Sequence, residues 1–205
     1  AVKLNLQTLK RVGITDGQKS QMIDSGLHTV QRLEGLVTNM LMASRLDSGR
    51  MVLSLETLNL VEIINSVLSR FQVLLVESEV KIQIKVKEDL TMQADRQALE
   101  IILSNLIHNA IKYAPSTALI IAASNQSSNL ILSICDSGPG VRQAELKDIF
   151  RKFYRAENEE TRSQKGTGLG LYLVSQLVEL QKGSITAKSN SPAGLCIQVK
   201  LPQKE

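Results

Sequence analysis

The sequence predicts an α+β sandwich preceded by a helical hairpin, and three observations carry that prediction. The first fifty residues repeat apolar side chains at the spacing of a helix seam. Beyond them the period changes, and Lys81-Ile82-Gln83-Ile84-Lys85-Val86-Lys87 alternates polar with apolar residues at period two, as a half-buried strand does. Helical patterns are then grouped between runs of adjacent strands, which suits a sandwich rather than an alternating, doubly wound sheet.

Taken in order, Ile23, Val30, Val37 and Ser44 recur every seven residues while Gly26, Leu33 and Met40 fill the alternate positions. Val2, Leu4, Leu6, Leu9 and Val12 form a shorter helical stretch, closed by Gly13 and a turn at Thr15-Asp16-Gly17. Two such arms make a hairpin with little core of its own, the first arm cut at residue 1. A second copy of the chain buries the stripe in a four-helix bundle. Ser48-Gly49-Arg50 ends this region and sets 1–50 apart from 51–205. Val52 to Leu55 reads as extended and Leu60 to Val76 as helix. Asp95 to Tyr113 is a helix with Asp95 as its cap, stopped by Pro115. Leu119 to Ala123 and Leu130 to Cys135 are strands, followed by a glycine turn and a helix near Arg142 to Phe150. A helix from Leu169 to Leu180 and strands at Ser184 to Lys188 and Leu195 to Leu201 complete the chain.

Composition narrows the function. With 43% hydrophobic and 21% charged residues the chain is a globular protein with a core. Aromatic residues make up only 3% and Trp is absent, which leaves few stacking platforms for bare nucleic acid. The net charge of +4 and pI near 9.1 come from Lys and Arg spread along the whole chain, so no basic face is marked out and a nucleic-acid partner is not expected. Cys135 and Cys196 lie inside apolar runs, without metal-ligand spacing or a companion His, and read as buried thiols of a reducing compartment. No apolar run approaches a membrane span and no secretion signal opens the chain, so these residues are expected to make no membrane contact. A start without Met inside a helical pattern suggests a longer protein, with room for a membrane anchor elsewhere.

Four clusters carry chemistry. In Asn105-Leu106-Ile107-His108-Asn109-Ala110-Ile111-Lys112-Tyr113, the residues Asn105, Asn109, Lys112 and Tyr113 fall at helical spacings and share a face. Two carboxamides and an ammonium on an apolar helix need partners if they are covered. In Asp136-Ser137-Gly138-Pro139-Gly140, a carboxylate at a strand end accepts an amine hydrogen bond while the glycines let backbone approach a flat ligand. Ile149-Phe150-Arg151-Lys152-Phe153-Tyr154-Arg155 holds two of the chain's three phenylalanines, and the polar stretch Ala156 to Lys165 after it reads as a lid over a phosphate site. Lys165-Gly166-Thr167-Gly168-Leu169-Gly170-Leu171 opens a helix, where free N–H groups and the helix dipole favour an anion. It is neither a Walker A loop nor a Rossmann fingerprint, because the Lys-Ser/Thr step is missing and the third glycine comes one residue early.

Singly, each cluster has a bland reading as an amphipathic helix, a tight turn, a surface loop or a helix start. In this order they resemble the N box, first glycine box, F box and second glycine box of sensor histidine kinases of two-component signalling, within the superfamily that includes gyrase, heat-shock chaperones and mismatch-repair ATPases. The resemblance covers about 95–201, and Ser44-Arg45-Leu46-Asp47-Ser48-Gly49 resembles the end of the family's second bundle helix. It implies a Bergerat-type ATP-binding α/β sandwich over 51–205, its mixed or antiparallel sheet carrying helices on one face. It implies further that 1–50 is a truncated dimerisation and phosphotransfer hairpin that forms a homodimer.

Residue by residue, the family pattern makes Asn109 the ligand of an ATP-bound Mg²⁺, with Asn105 assisting. Lys112 contacts a phosphate, Tyr113 stacks on adenine, and Asp136 accepts the adenine amino hydrogen in a pocket shaped by Gly138 and Gly140. Arg155 and Lys165 reach phosphate oxygens, and Gly166, Thr167, Gly168, Leu169 and Gly170 line the phosphates. Phosphoryl transfer depends chiefly on such positioning and charge neutralisation. The amide of Asn105 cannot act as the general base that hydrolysing branches place in this helix as Glu, which turns the expectation from hydrolysis toward transfer to a side chain.

The implied route runs from ATP to a His and on to an Asp of a response-regulator receiver domain, in the cytoplasm. The chain departs from the pattern at the acceptor. His28 and His108 are its histidines, and neither is followed by an acidic residue. His28 is read as surface and His108 as a neighbour of the site, so the acceptor His is expected before Ala1. A nucleotide-binding scaffold without phosphotransfer, or an ATPase or protein-serine kinase of the same superfamily, stays open on these residues alone.

Overall fold

The computed structural model describes residues 15–156, 166–191 and 193–203. The helical stretch expected at Val2 to Val12, Gly13, Lys165 and the side chain of His28 lie outside the described residues. The chain divides into two compact units, Ala1–Arg45 and Leu46–Glu205.

In the first unit runs most of α1 (Asp16–Asp47), a helix of 32 residues. The turn expected at Thr15-Asp16-Gly17 is instead its start. Gln18 N donates to Thr15 Oγ1 at 3.3 Å and Thr15 N donates to Gln18 Oε1 at 3.1 Å, a reciprocal box that satisfies two free donors. The seam residues Ile23, Val30, Leu33, Val37 and Met40 remain 40–57% exposed on the single chain.

The second unit runs β1 (Leu55–Asn59), α2 (Leu60–Arg70), α3 (Gln72–Glu77), β2 (Lys81–Lys85), β3 (Thr91–Asp95), α4 (Arg96–Tyr113), β4 (Ala118–Gln126), β5 (Asn129–Asp136), two short 3₁₀ turns, α5 (Gly170–Leu180), β6 (Ser184–Ser189) and β7 (Leu195–Pro202). A five-stranded sheet takes the order β2-β4-β5-β7-β6, parallel only between β2 and β4, and β1 pairs with β3 apart from it. Alternate residues of the central strands, among them Ile121, Leu132, Ile134 and Val199, are buried together with Ile64 of α2, Leu103 of α4 and Leu177 of α5. The opposite-facing residues Ile120, Ser133 and Gln198 are only partly covered. The α+β sandwich with a mixed sheet and helices on one face is therefore the fold observed, and aliphatic side chains fill it.

Several element boundaries differ from expectation. The helix foreseen from Leu60 to Val76 breaks at Phe71, where the backbone leaves helical values and Phe71 N bonds Leu68 O. β3 was not foreseen, since Met92 and Ala94 offer only a short alternation, yet both are buried beneath its pairing with β1. The helix expected near Arg142 to Phe150 is two 3₁₀ turns, Gln143–Glu145 and Asp148–Phe150, each closed by a bond of i to i+3 type.

Asp95 caps α4 as expected. Its Oδ1 accepts from Ala98 N at 2.8 Å and its Oδ2 from Ser54 N at 2.8 Å, so one buried carboxylate starts the helix and pins the approach to β1. The cysteines are not free buried thiols. Cys135 on β5 lies directly opposite Cys196 on β7, half-buried, and the two form a disulfide. A sheet register between residues 61 apart brings them together, which local spacing cannot reveal.

Candidate functional site

α4 supplies the frame of the site. Its buried side, from Leu99 through Ile102, Leu106 and Ala110, is locked into the core, and the 3.6-residue period then holds Asn105, Asn109, Lys112 and Tyr113 at the partly covered edge. Asn105 Nδ2 donates to Ile101 O one turn back at 2.9 Å, which turns Oδ1 outward. Asn109 makes no side-chain hydrogen bond among the described residues and is free to take a ligand. Lys112 Nζ donates to Tyr113 Oη at 2.8 Å and lies 4.4 Å from that ring's centroid.

The glycines show how the other clusters meet this helix. A Cβ on Gly138 would stand 2.6 Å from Ala114 Cβ and 3.0 Å from Tyr113 O, so the loop after β5 presses on the end of α4. At Gly166 a Cβ would meet Lys112 Nζ at 2.9 Å, and at Gly170 it would meet Asn105 Oδ1 at 2.8 Å. Gly168, at φ +68°, abuts the backbone of Phe153 and Tyr154, and Phe153 N donates to its carbonyl at 3.0 Å. The two glycine boxes thus meet the partly covered edge of α4, and the F box joins them through Gly168.

Asp136 ends β5 and is held rigidly. Its Oδ1 accepts from Gly138 N at 2.9 Å and from Leu195 N at 3.1 Å, while Asn190 Nδ2 donates to its carbonyl at 2.7 Å. Oδ2 has no hydrogen bond among the described residues and is left as an acceptor. Burial pushes this carboxyl above the ordinary aspartate value, and the two backbone N–H bonds oppose the rise without cancelling it. A fixed, half-buried acceptor of this kind suits an exocyclic amine.

A family model for histidine kinase-, DNA gyrase B- and HSP90-like ATPases matches residues 94–205, the stretch that holds every one of these contacts. The chain belongs to that family. Within it, the chain carries a sensor histidine kinase catalytic domain. It is 37% identical over 171 residues to the sensor protein KdpD of Escherichia coli, covering 82% of this chain and 19% of KdpD. The histidine kinase AdeS of Acinetobacter baumannii superposes with a TM-score of 0.81 at 26% identity, covering all of this chain and 94% of that one. The kinase ShkA, solved in complex with AMPPNP, superposes with a TM-score of 0.78 at 25% identity over 98% of this chain and 42% of its own. The chain spans well under half the length of the curated relatives it matches.

In this histidine kinase domain, Gly170 meets Asn105, Gly166 meets Lys112 and Tyr113, and Gly138 meets the end of α4 at Tyr113 and Ala114, while Gly140 stands against Gly194 rather than against α4. Leu169 is 1% exposed, so the residue is covered just ahead of α5. Thr167 Oγ1 accepts from Leu169 N at 3.3 Å just ahead of α5. Arg155 is exposed at the end of the F box. His108 keeps much of its surface open, yet its ring lies 6.1 Å from that of Phe71, and desolvation, ahead of the Lys112 charge, lowers its pKa. It sits beside Asn109 on the same helix.

Three supporting groups escaped the sequence. Leu195 and Asn190, which hold Asp136, are 59 and 54 residues away, and their roles use backbone or a common amide. Glu145 is buried at the centre of a polar group, accepting from Tyr154 Oη at 2.9 Å and Arg142 Nε at 2.6 Å. That acceptor raises the Tyr154 pKa. The third group gathers on Asp47, which accepts from Lys152 Nζ and Tyr172 Oη. Among the described residues no cluster of His, Cys, Asp or Glu could hold a metal ion. No described helix is long and apolar enough to cross a membrane.

Proposed function

We propose that this domain is the cytoplasmic core of a protein-histidine kinase, which binds Mg²⁺-ATP at the edge of α4 and passes the γ-phosphoryl group to a His outside these 205 residues. The observation that carries the reading is the meeting of Asn105, Lys112 and Tyr113 with Gly166 and Gly170, which sets an amide oxygen and an ammonium beside the start of a helix. In this reading Asp136 takes the adenine amino group through Oδ2, with Gly138 and Gly140 shaping the pocket and Tyr113 against the ring. Lys112 then leaves the Tyr113 face for a phosphate oxygen. Arg155, Lys165 and the backbone from Gly166 to Gly170 neutralise the remaining phosphate charge.

The donor set fits Mg²⁺, which takes one or two protein oxygens and completes its shell with phosphates and water. Asn109 and Asn105 supply hard amide oxygens, the second already oriented by its bond to Ile101. Held by these two amides, the ion would offset the charge of the phosphates. The same pair leaves this helix face without a carboxylate to activate water, which favours transfer over hydrolysis. The uncovered seam of α1 supports a homodimer through residues 1–50, and an Asp of a response-regulator receiver domain is the onward acceptor.

The test follows γ-labelled ATP. The isolated chain is expected to bind it with Mg²⁺ and to acquire no label, whereas a longer form carrying the acceptor becomes labelled with acid-labile, base-stable phosphate. Asn109→Ala in that form abolishes labelling. Base-stable label on the 205-residue chain itself would contradict the reading. A longer form that signals normally with Asn109→Ala would favour a scaffold.

A further inference from the structure

We infer that Asp47 is a positioning residue for the phosphate end of the nucleotide site, an inference that rests on the reading just given. Asp47 belongs to the unit Leu46–Glu205 and uses both carboxylate oxygens within it. Oδ2 accepts from Lys152 Nζ at 2.6 Å, and Oδ1 accepts from Tyr172 Oη. The Lys152 ammonium also lies 5.4 Å from the Tyr172 ring centroid and 5.8 Å from that of Phe153. One carboxylate therefore joins the F box to the first turn of α5.

Those two stretches are the ones that meet at Gly168. Lys152 precedes Phe153, whose N–H bonds the Gly168 carbonyl, and Tyr172 follows Gly170, which faces Asn105. Phe153 sits at φ 64°, a conformation a bulky L residue adopts only when its surroundings impose it, and its ring is 59% exposed rather than packed away. Its N–H is bonded to the Gly168 carbonyl, and the side chain of the preceding Lys152 is bonded to Asp47.

The ionisation states suit the clasp. Lys152 first and Tyr172 second hold the Asp47 carboxyl below its ordinary value, and Asp47 pushes the Tyr172 hydroxyl up to about 12. Around neutral pH the Asp47 acceptor is therefore charged and the Tyr172 hydroxyl keeps its proton. The side chains of Lys152 and Asp47 remain 37% and 40% exposed, and pairs so open to solvent add little to fold stability. What the clasp supplies is geometry at the residues that frame the phosphates.

Calorimetric titration of the 205-residue chain with Mg²⁺-ATP and with AMP tests this. Asp47→Ala is expected to weaken Mg²⁺-ATP by about tenfold and AMP by less than about twofold, with the nucleotide-free melting temperature unchanged. Adding Lys152→Gln to Asp47→Ala should cost nothing more, as for partners in one interaction. Asp47→Glu should recover part of the loss. Should Asp47→Ala fail to fold, Tyr172→Phe, which removes a single oxygen, carries the same test. Equal losses for the two nucleotides, or none, overturn the inference while the nucleotide reading stands. Failure of the unsubstituted chain to bind Mg²⁺-ATP overturns both.

Discussion

At Gly138 and Gly140 the space a side chain would need is taken by neighbouring main chain and a Cβ, whereas at Gly166 and Gly170 it is taken by the tips of Lys112 and Asn105. The two ends of the proposed site thus use glycine differently. The Asp136 end is finished before any ligand arrives, its carboxylate bonded by two N–H groups and its loop seated on Ala114 and Gly194. The phosphate end depends on side chains that can swing, with Gly168 as its fixed point against the F box. A flat base needs a rigid slot, and a triphosphate that is bound, transferred from and released needs adjustable donors.

The two ends should differ most in their response to substitution at Gly140. Its φ of +71° and a Cβ contact of 2.8 Å with Gly194 O mean that Gly140→Ala meets two penalties. The left-handed backbone costs about 1–2 kcal/mol and overpacking about 1–3 kcal/mol. A urea unfolding curve should show the lowered midpoint. At the other end, Gly166→Ala displaces only the end of a flexible lysine and should change stability by no more than about 0.5 kcal/mol. Its effect belongs in ATP affinity, through a misplaced Lys112. Equal destabilisation by the two variants would remove the distinction.

Asp136→Asn sharpens the same contrast chemically. It keeps the size of the side chain but replaces the ionised acceptor, a loss of about 1.5–3 kcal/mol for a hydrogen bond to a charged group, or roughly 10- to 100-fold in affinity. The pH dependence has a definite sign. Because the folded pKa is raised by burial, this group's contribution to stability is greatest below the ordinary value of 3.8 and declines as pH rises through the folded value. Protonation on acidification therefore starts above 3.8, and ATP affinity should fall from that higher pH, a fall that Asp136→Asn abolishes.

The same division explains what could be read without coordinates. α4, with its cap at Asp95 and its polar edge from Asn105 to Tyr113, follows from helical period and capping, which are local. The four boxes could be named because each is short and contiguous. The partners of Asp136, the Cys135–Cys196 pair and the clasp on Asp47 could not, since each joins residues 54 to 125 apart through sheet register or tertiary packing. At Arg142 to Phe150 the pattern suggested one helix, and the buried Glu145 bonded to Arg142 and Tyr154 accompanies two tighter turns instead.

In the proposed site the finished end reads adenine and the adjustable end takes Mg²⁺-bound phosphates. Titration of the 205-residue chain with ATP and with GTP, each with and without Mg²⁺, tests this most directly. One ATP per chain, tightened by Mg²⁺, with GTP rejected because its 6-oxo group would face the Asp136 carboxylate, is the predicted result. GTP bound as tightly as ATP, or ATP bound without regard to Mg²⁺, would contradict it.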